Sequence, residues 1–254
     1  MYRRTFLGAA ALAAQSAGKS HIVTLSFDDG FKKSFQQTAA IYEEFGLRAC
    51  LNVIALGHMP GFAPSIRGLP DPMTPFEKGG FDLWNRLQER GHEIMPHTYD
   101  HQNLAALPLR QSQELIDKCI EYFREHLENF RPAHSVYSFA YNASTPEIEA
   151  YALTQFLAIR TKGNSPINPI PRKKQPTLIG CRSFGPGNCD AFLESELRQF
   201  LDGPGGWYVF NSHGLDDEGW GPMSAACLRS LLARLTKRPN VEVLPAGEVL
   251  LRLA

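Results

Sequence analysis

Two adjacent carboxylates follow the first apolar segment of the chain. Residues 22–27 are apolar and rich in β-branched side chains, which predicts a buried parallel strand, and they run directly into Asp28 and Asp29. Two like charges at a buried strand end repel one another unless a cation compensates them. A metal ion could bind one carboxylate and leave the other to act as a base. Taken alone, the pair is equally typical of an Asp-Gly turn with a helix-capping aspartate.

Three histidines follow other strand-like segments. His97 and His101 come after residues 92–95, and His213 comes after residues 207–211. Histidines four residues apart on one helical turn can direct both imidazoles at a single ion, although a chain with 8 histidines also contains such pairs by chance. One aspartate and two histidines form a ligand set of one oxygen and two nitrogens with an open position, which is typical of a catalytic metal.

The chemistry that such a site supports is hydrolysis. Zinc bound by these ligands lowers the pKa of its water to about 7 and polarises a carbonyl group. Asp28 could take the proton of that water, and His213 could protonate the departing group. These roles predict a hydrolase that acts on an amide or an ester.

Segments of alternating strand and helix character must position these side chains. Strands are predicted at residues 22–27, 49–54, 92–95, 136–140, 157–160, 207–211 and 241–244, and helices at residues 35–45, 83–90, 115–130, 146–155, 191–200 and 223–235. Residues 56–80 and 164–176 are rich in Gly and Pro and are predicted to be loops. About seven alternating units predict an α/β fold in which a parallel sheet closes into a single barrel with helices outside. The carboxyl ends of the strands carry the chemistry in such barrels, and all three polar groups follow strands.

The composition excludes several classes of protein. The chain has 254 residues with 26 basic and 26 acidic side chains, and this balance argues against a general nucleic-acid binder. Its 5 cysteines are too few for a disulfide scaffold, although Cys181 and Cys189 could pair in an oxidising compartment. We therefore expect one large domain that needs neither a disulfide nor a metal merely to fold.

Residues 1–17 are predicted to be an export signal rather than part of the fold. Arg3 and Arg4 are followed by Phe6 and Leu7 and then by an alanine-rich stretch, which resembles a twin-arginine signal. The apolar run is too short to span a bilayer, for which about 20 residues are needed. The alternative is a short amphipathic helix packed on the domain. With export, residues 18–254 form the mature domain in the periplasm or outside the cell, without stable insertion into a membrane.

The segments that carry the chemistry resemble those of a known family. Residues 24–30, TLSFDDG, and residues 97–101, HTYDH, are similar to the first two motifs of the NodB-type polysaccharide deacetylases, carbohydrate esterase family 4. Residues 212–214, SHG, and residues 219–222, GWGP, resemble the C-terminal part of bacterial members. The resemblance runs from about His21 to the end of the chain and implies a distorted barrel of about seven or eight β/α units.

The resemblance also implies a role for each site residue. Asp28 matches the general base and His213 the general acid. Asp29, His97 and His101 match the ligands of a divalent metal, for which zinc is expected and cobalt, manganese and nickel are alternatives.

Two motifs depart from the pattern of the family. The third motif is SFAY at residues 138–141, and its Tyr141 matches the aromatic residue whose backbone amide would help to hold the oxyanion. Ser138, however, stands where the family has an arginine that orients the base. Arg160, at the end of the next predicted strand, could supply that charge from a different place. The fourth motif, an acidic-tryptophan segment that backs the acid histidine, is not recognisable.

Substrate contacts are predicted from aromatic and basic residues near the motifs. Tyr141 and Trp220 are the favoured platforms for a sugar ring or an acyl group, whereas Phe31 and Trp207 are expected in the core. The basic loop residues 172–174, RKK, are interpreted as solvated, with contact to an acidic glycan as the alternative.

The sequence therefore predicts a metal-dependent hydrolase that removes acetyl groups from a carbohydrate, with an N-acetylated amino sugar as the expected substrate. A related amidohydrolase that acts on a small cyclic amide or ureide is the alternative within enzymes. A glycan-binding relative without turnover is the alternative outside them. Nucleic acid is not an expected partner in any of the three.

Overall fold

The computed structural model describes residues 20–63, 65–66, 69–70, 75–173 and 175–252. Residues 1–17, where the export signal is predicted, lie outside the described residues, as does Lys174 of the basic loop.

Eleven strands and seven α-helices alternate along the described part of the chain. The strands are β1 (His21–Phe27), β2 (Cys50–Val53), β3 (Ser65–Ile66), β4 (Leu69–Pro70), β5 (Glu93–Pro96), β6 (Val136–Ser138), β7 (Ala158–Thr161), β8 (Ile167–Asn168), β9 (Thr177–Gly180), β10 (Gly206–Ser212) and β11 (Val241–Val243). The α-helices are α1 (Lys32–Glu43), α2 (Phe81–Glu89), α3 (Leu109–His126), α4 (Pro146–Gln155), α5 (Asp190–Leu201), α6 (Ala225–Leu235) and α7 (Ala246–Leu251). Each predicted strand and helix is present, and α3 begins and ends earlier than predicted.

The parallel strands form a distorted barrel. β1 lies at its centre and pairs in parallel with β10 along one edge and with β2 and β11 along the other, and β2 continues the sheet to β5. β6, β7 and β9 form a second parallel ladder. This ladder joins β10 through Arg182, whose amide donates to the Val209 carbonyl and whose carbonyl accepts from the Asn211 amide.

One seam of the barrel is bridged by side chains. The described residues of β5 and β6 form no paired ladder, but the Val136 amide donates to Met95 Sδ at 3.3 Å. The His97 ring also contacts the Ser138 carbonyl through Nδ1 at 2.9 Å. The barrel is therefore distorted at the place where the second and third motifs meet.

Burial explains why these segments became strands and helices. All seven residues of β1 are buried, as expected of a strand that is covered on both faces. The amphipathic helix α3 instead buries a single face, whose apolar members are Leu115, Ile116, Cys119, Ile120 and Phe123. Each buried leucine, isoleucine or phenylalanine side chain contributes about 1.5–3 kcal/mol to stability by leaving water. Within the described part of the chain, no helix is long and apolar enough to cross a membrane.

The structure contains elements that the sequence analysis missed. β9 is an eighth parallel strand, and only its last two residues are buried, so its apolar pattern is too short to be recognised. The short C-terminal helix α7 was also missed. The predicted loops contain the hairpin of β3 and β4 and the strand β8, which is antiparallel to β10.

The suggested disulfide between Cys181 and Cys189 is wrong, because both cysteines are free and buried. The two residues belong to different apolar clusters of the core. Cys181 Sγ faces Arg160 Nη1 at 3.5 Å, whereas Cys189 immediately precedes α5.

Candidate active site

The turn after β1 places two carboxylates inside the barrel rather than at a helix cap. Asp28 and Asp29 are 1% and 5% exposed. Asp29 has a φ of +77°, a left-handed conformation that costs a non-glycine residue about 1–3 kcal/mol. The residue that caps α1 is Phe31, which makes no side-chain cap, so neither aspartate has the capping role considered above.

His97 and His101 are brought together by an irregular turn and not by the helical turn that their spacing suggests. Thr98 and His101 have φ values of +66° and +61°, which a right-handed helix cannot accommodate. The two imidazole centroids nevertheless lie 5.3 Å apart. The expected proximity of the rings is therefore present, but the expected helical backbone is wrong.

Asp29, His97 and His101 form a buried set of potential metal ligands. Asp29 Oδ1 lies 3.4 Å from His97 Nε2 and 3.2 Å from His101 Nε2. Zinc with bonds of about 2.0 Å would place tetrahedral ligands about 3.3 Å apart. Asp29 Oδ1 has no hydrogen-bond partner among the described residues, although a buried carboxylate oxygen is costly to leave unpaired. The donor set therefore fits a divalent metal.

The other nitrogen of each histidine ring has its own partner. His97 Nδ1 lies 2.9 Å from the Ser138 carbonyl, which can only accept, so Nδ1 carries the proton and Nε2 is left as a ligand. His101 Nδ1 lies 3.2 Å from the Tyr141 hydroxyl. These outer contacts orient both rings toward Asp29.

The charged groups around Asp29, His97 and His101 favour a positive charge between these three side chains. Burial by itself would raise the pKa of Asp29, but the neighbouring His101 and His97 hold it well below its usual value. Burial would lower the pKa of His97, but Asp28 and Asp29 together raise it. The two histidines thus stabilise the ionised form of Asp29, and its negative charge attracts a cation.

Asp28 is held by a buried ion pair with Arg160. Arg160 Nη2 donates to Asp28 Oδ2 at 2.6 Å, and the arginine is 1% exposed. Arg160 Nε donates to Ser138 Oγ at 3.1 Å. The hydroxyl of Ser138 thus helps to position the guanidinium that β7 supplies.

Three asparagines complete the surroundings of Asp28, and the sequence analysis assigned no role to any of them. Asn52 Nδ2 donates to Asp28 Oδ1 at 2.9 Å, and Asn211 Nδ2 donates to Oδ2 at 2.7 Å. Asn142 donates to Asn211 Oδ1 at 2.9 Å and accepts from Arg160 Nη1 at 3.1 Å. An amide inside the apolar run of β2 was the one signal that could have identified Asn52.

His213 lies close enough to the carboxylates for their charges to act on its imidazole. Burial lowers the pKa of His213, and the charges of Asp29 and Asp28 oppose that shift only in part. Its Nδ1 is buried without a partner among the described residues, which agrees with the absence of a recognisable fourth motif. The edge of its ring meets Trp220, with centroids 5.3 Å apart at 85°.

The aromatic residues divide as expected between the core and the site. Phe31 and Trp207 are fully buried. Tyr141 is 38% exposed beside His101, with a φ of +58° that turns its backbone at the end of β6. Trp220 is half-buried beside His213. The structure therefore brings all eight predicted site residues to one region of the barrel.

The sequence profile of the polysaccharide deacetylases matches residues 15–155, more than half of the chain. The chain belongs to the polysaccharide deacetylase family. The resemblance seen in its motifs is confirmed, and the chain is a hydrolase of the type that acts on amide or ester bonds of acetylated polysaccharides. No curated protein sequence matches it.

Solved structures share the fold of this polysaccharide deacetylase over nearly its whole length. A protein from Mycobacterium smegmatis classed as a polysaccharide deacetylase has a TM-score of 0.69 at 15% identity, covering 93% of this chain and 91% of that one. An allantoinase has a TM-score of 0.62 at 10% identity, covering 91% and 89%. A carbohydrate esterase family 4 pseudoenzyme from Bacillus anthracis has a TM-score of 0.58 at 11% identity, covering 91% and 66%. These likenesses confirm the predicted distorted α/β barrel.

Proposed function

We propose that this polysaccharide deacetylase is a metal-dependent enzyme that removes the acetyl group from an N-acetylated amino sugar. The observation that carries the proposal is the Oδ1 of Asp29, which has no hydrogen-bond partner among the described residues and faces two imidazole nitrogens beside the carboxylate held by Arg160. A ligand set with an open position next to a positioned base supports hydrolysis.

Asp29, His97 and His101 would hold the metal. When bound there, a divalent ion polarises the acetyl carbonyl and lowers the pKa of a water molecule. We infer zinc because imidazole and carboxylate are among its usual ligands, with cobalt, manganese and nickel as alternatives.

Asp28 is the group that would take a proton from the attacking water. A carboxylate has about four acceptor positions, and the donors from Arg160, Asn211 and Asn52 occupy three of them. The remaining position is on Oδ1, because Oδ2 already accepts two hydrogen bonds. Arg160 and the asparagines therefore fix the direction from which Asp28 can accept the proton.

His213 is the group that would protonate the leaving nitrogen. Its Nδ1 is buried, so we assign the transferred proton to Nε2. The perpendicular packing against Trp220 limits rotation of the imidazole where the family's usual acidic support is not recognisable. The exposed Tyr141 provides a ring surface for the sugar, and its backbone amide provides a donor for the oxyanion.

The proposal is tested by release of acetate from a panel of acetylated glycans, with zinc-loaded protein. We expect release from N-acetylated amino sugars and a loss of about 100-fold to 10,000-fold in kcat for Asp28→Asn and for His213→Gln. Asp28→Asn that binds metal and keeps full activity would show that Asp28 is not the base. Zinc-loaded protein that binds glycans but releases no acetate would instead identify a non-catalytic relative.

A cyclic amide or ureide is the second candidate substrate. Two observations favour this second candidate. The fold is similar to that of an allantoinase, and Ser138 stands where the family has the third-motif arginine. Ring opening of such a compound, with no acetate released from any glycan, would select this alternative.

We also propose that residues 1–17 direct export of the folded domain. The paired Arg3 and Arg4 followed by an apolar, alanine-rich stretch support this location. Cell fractionation should find a shortened protein outside the cytoplasm, and replacing both arginines by lysine should retain it inside. Unshortened protein in the cytoplasm in both cases would contradict export.

A further inference from the structure

A polar cleft adjoins the candidate active site and shares Tyr141 and Asn142 with it, but its other lining residues have no part in the chemistry described above. It has a volume of about 290 Å³ and opens where the carboxyl ends of β6, β7 and β9 meet. Tyr141 and Asn142 form its inner wall, and the Tyr141 hydroxyl lies 3.2 Å from His101 Nδ1. A group bound in the cleft would therefore be a neighbour of the group that reacts at the metal ligands.

The wall of the cleft opposite Tyr141 is held in place by the backbone. The Ser165 carbonyl passes so close to Gly180 that a Cβ at that glycine would overlap it. The Pro166 carbonyl accepts from the Val209 amide at 2.9 Å. The side chain of Asn168 holds residues 165–168 against β9, because it donates to the Gly180 carbonyl and accepts from the Gly180 amide, each at 2.9 Å. The cleft is thus formed before any ligand binds.

The charges that line the cleft are positive. Among the described residues, its lining includes Lys162 and Arg182 and no acidic residue. Arg182 is partly compensated by Glu196, whose carboxylate lies 3.5 Å from Nε. Lys162 forms no ion pair with any described residue. The basic residues 172 and 173 do not line the cleft.

We propose that this cleft is a subsite for a carboxylate on the sugar next to the acetylated one, so that the enzyme prefers an acidic glycan. One uncompensated ammonium group matches a single negative charge, whereas a phosphate monoester carries close to two. Neutral side chains of Asn164, Ser165 and Ser183 supply hydrogen-bond donors around that charge. The subsite rests on the proposed function for the position of the acetyl group, but binding of the carboxylate does not require turnover.

The first arm of the test compares two substrates that differ only in charge. One is an oligosaccharide in which N-acetylated amino sugars alternate with uronic acids, and the other is the same compound with each carboxylate reduced to a hydroxymethyl group. For the zinc-loaded full chain we expect a KM about threefold to fivefold lower for the acidic compound at low salt. The difference should disappear in about 1 M salt, where the Debye length is about 3 Å.

The second arm identifies the residue responsible. Lys162→Met should raise the KM for the acidic compound to that of the reduced one, and Lys162→Arg should keep the preference. Lys237→Met is the matched control, because Lys237 is also exposed but follows α6 at the opposite end of the barrel. Equal KM values for the two substrates in the wild type, or a preference that survives Lys162→Met, would overturn the subsite.

The third arm separates the subsite from the proposed function. Calorimetric titration with the same acidic oligosaccharide, in which hydroxyl groups replace the acetamido groups, measures binding without reaction. If no acetylated glycan is hydrolysed but Lys162→Met still weakens this binding threefold or more, the subsite stands and the deacetylation proposal fails. If the carboxylate binds equally well to Lys162→Met, it binds elsewhere, for example at the metal, and the subsite is wrong.

Discussion

Arg160 Nη2 lies 2.6 Å from Asp28 Oδ2, and both side chains are almost fully buried although they are 132 positions apart in the chain. Burial disfavours the charged guanidinium, but the carboxylate of Asp28 outweighs this effect and raises the pKa of Arg160 above its ordinary value. The guanidinium of Arg160 therefore stays charged across the physiological pH range. A buried pair of this kind adds little net stability, whereas removal of one partner leaves a buried charge without compensation.

Replacing Arg160 by methionine should damage both folding and turnover. We expect the free energy of unfolding to fall by about 3–5 kcal/mol, because Asp28 is then buried without a cation. Turnover should fall at least about 100-fold, because the base loses its orientation. In the double variant with Asp28→Asn, urea denaturation should show recovery of much of the stability, while acetate release should stay absent. Unchanged turnover in Arg160→Met would remove the positioning role.

Zinc should stabilise the protein through the three predicted ligands. At a free zinc concentration about 100 times the dissociation constant, the gain in unfolding free energy should be about 2.7 kcal/mol. His101→Gln should lose this gain, as seen by thermal denaturation with and without zinc. His134→Gln is the control, because that histidine is exposed at the other end of the third-motif strand. Equal zinc stabilisation of His101→Gln would contradict the ligand assignment.

Asn142 should act as a positioning residue for Asp28. Asn142→Asp keeps the side-chain shape and tolerates the φ of +49°, but it cannot donate to Asn211 and it competes with Asp28 for Arg160. We expect kcat to fall about 10-fold to 100-fold while zinc affinity stays at the wild-type value, since Asn142 contacts no metal ligand in the described hydrogen bonds. A variant that changes zinc affinity as strongly as kcat would indicate a general disturbance of the site.

Glu93 should make the stability of the fold depend on pH. Burial raises its pKa to about 7, from an ordinary value of 4.5, even though the amide of Glu248 and the thiol of Cys50 donate to it. Because the folded state holds the proton more tightly, this stabilisation is complete below about pH 4.5 and is lost as the pH rises through about 7. The loss should be at most about 3 kcal/mol.

Urea denaturation at a series of pH values checks this expectation. Glu93→Gln should flatten the curve between pH 4.5 and 7, whereas Glu121→Gln, at an exposed position of α3, should leave it unchanged. A wild-type stability that rises over this window and does not respond to Glu93→Gln would contradict the assignment.

Local patterns were sufficient for much of the architecture. β1, β2, β5, β6, β7, β10 and β11 were recognised because a buried strand needs a short apolar run, which is a property of neighbouring residues. The short strand β9 was missed because half of it is not buried. The irregular turn at His97 to His101 was misread as helical because a spacing of four residues does not report the backbone angles at Thr98.

The sequence by itself determined which groups are available, namely the carboxylates after β1 and the histidines after β5 and β10, because these follow strand ends in the chain. Only the tertiary structure decided which of them meet. Closure of the barrel brings Arg160 to Asp28 and to Asn142, and it keeps Cys181 apart from Cys189. Such contacts depend on strand order and register across distant parts of the chain, and neighbouring residues do not encode them.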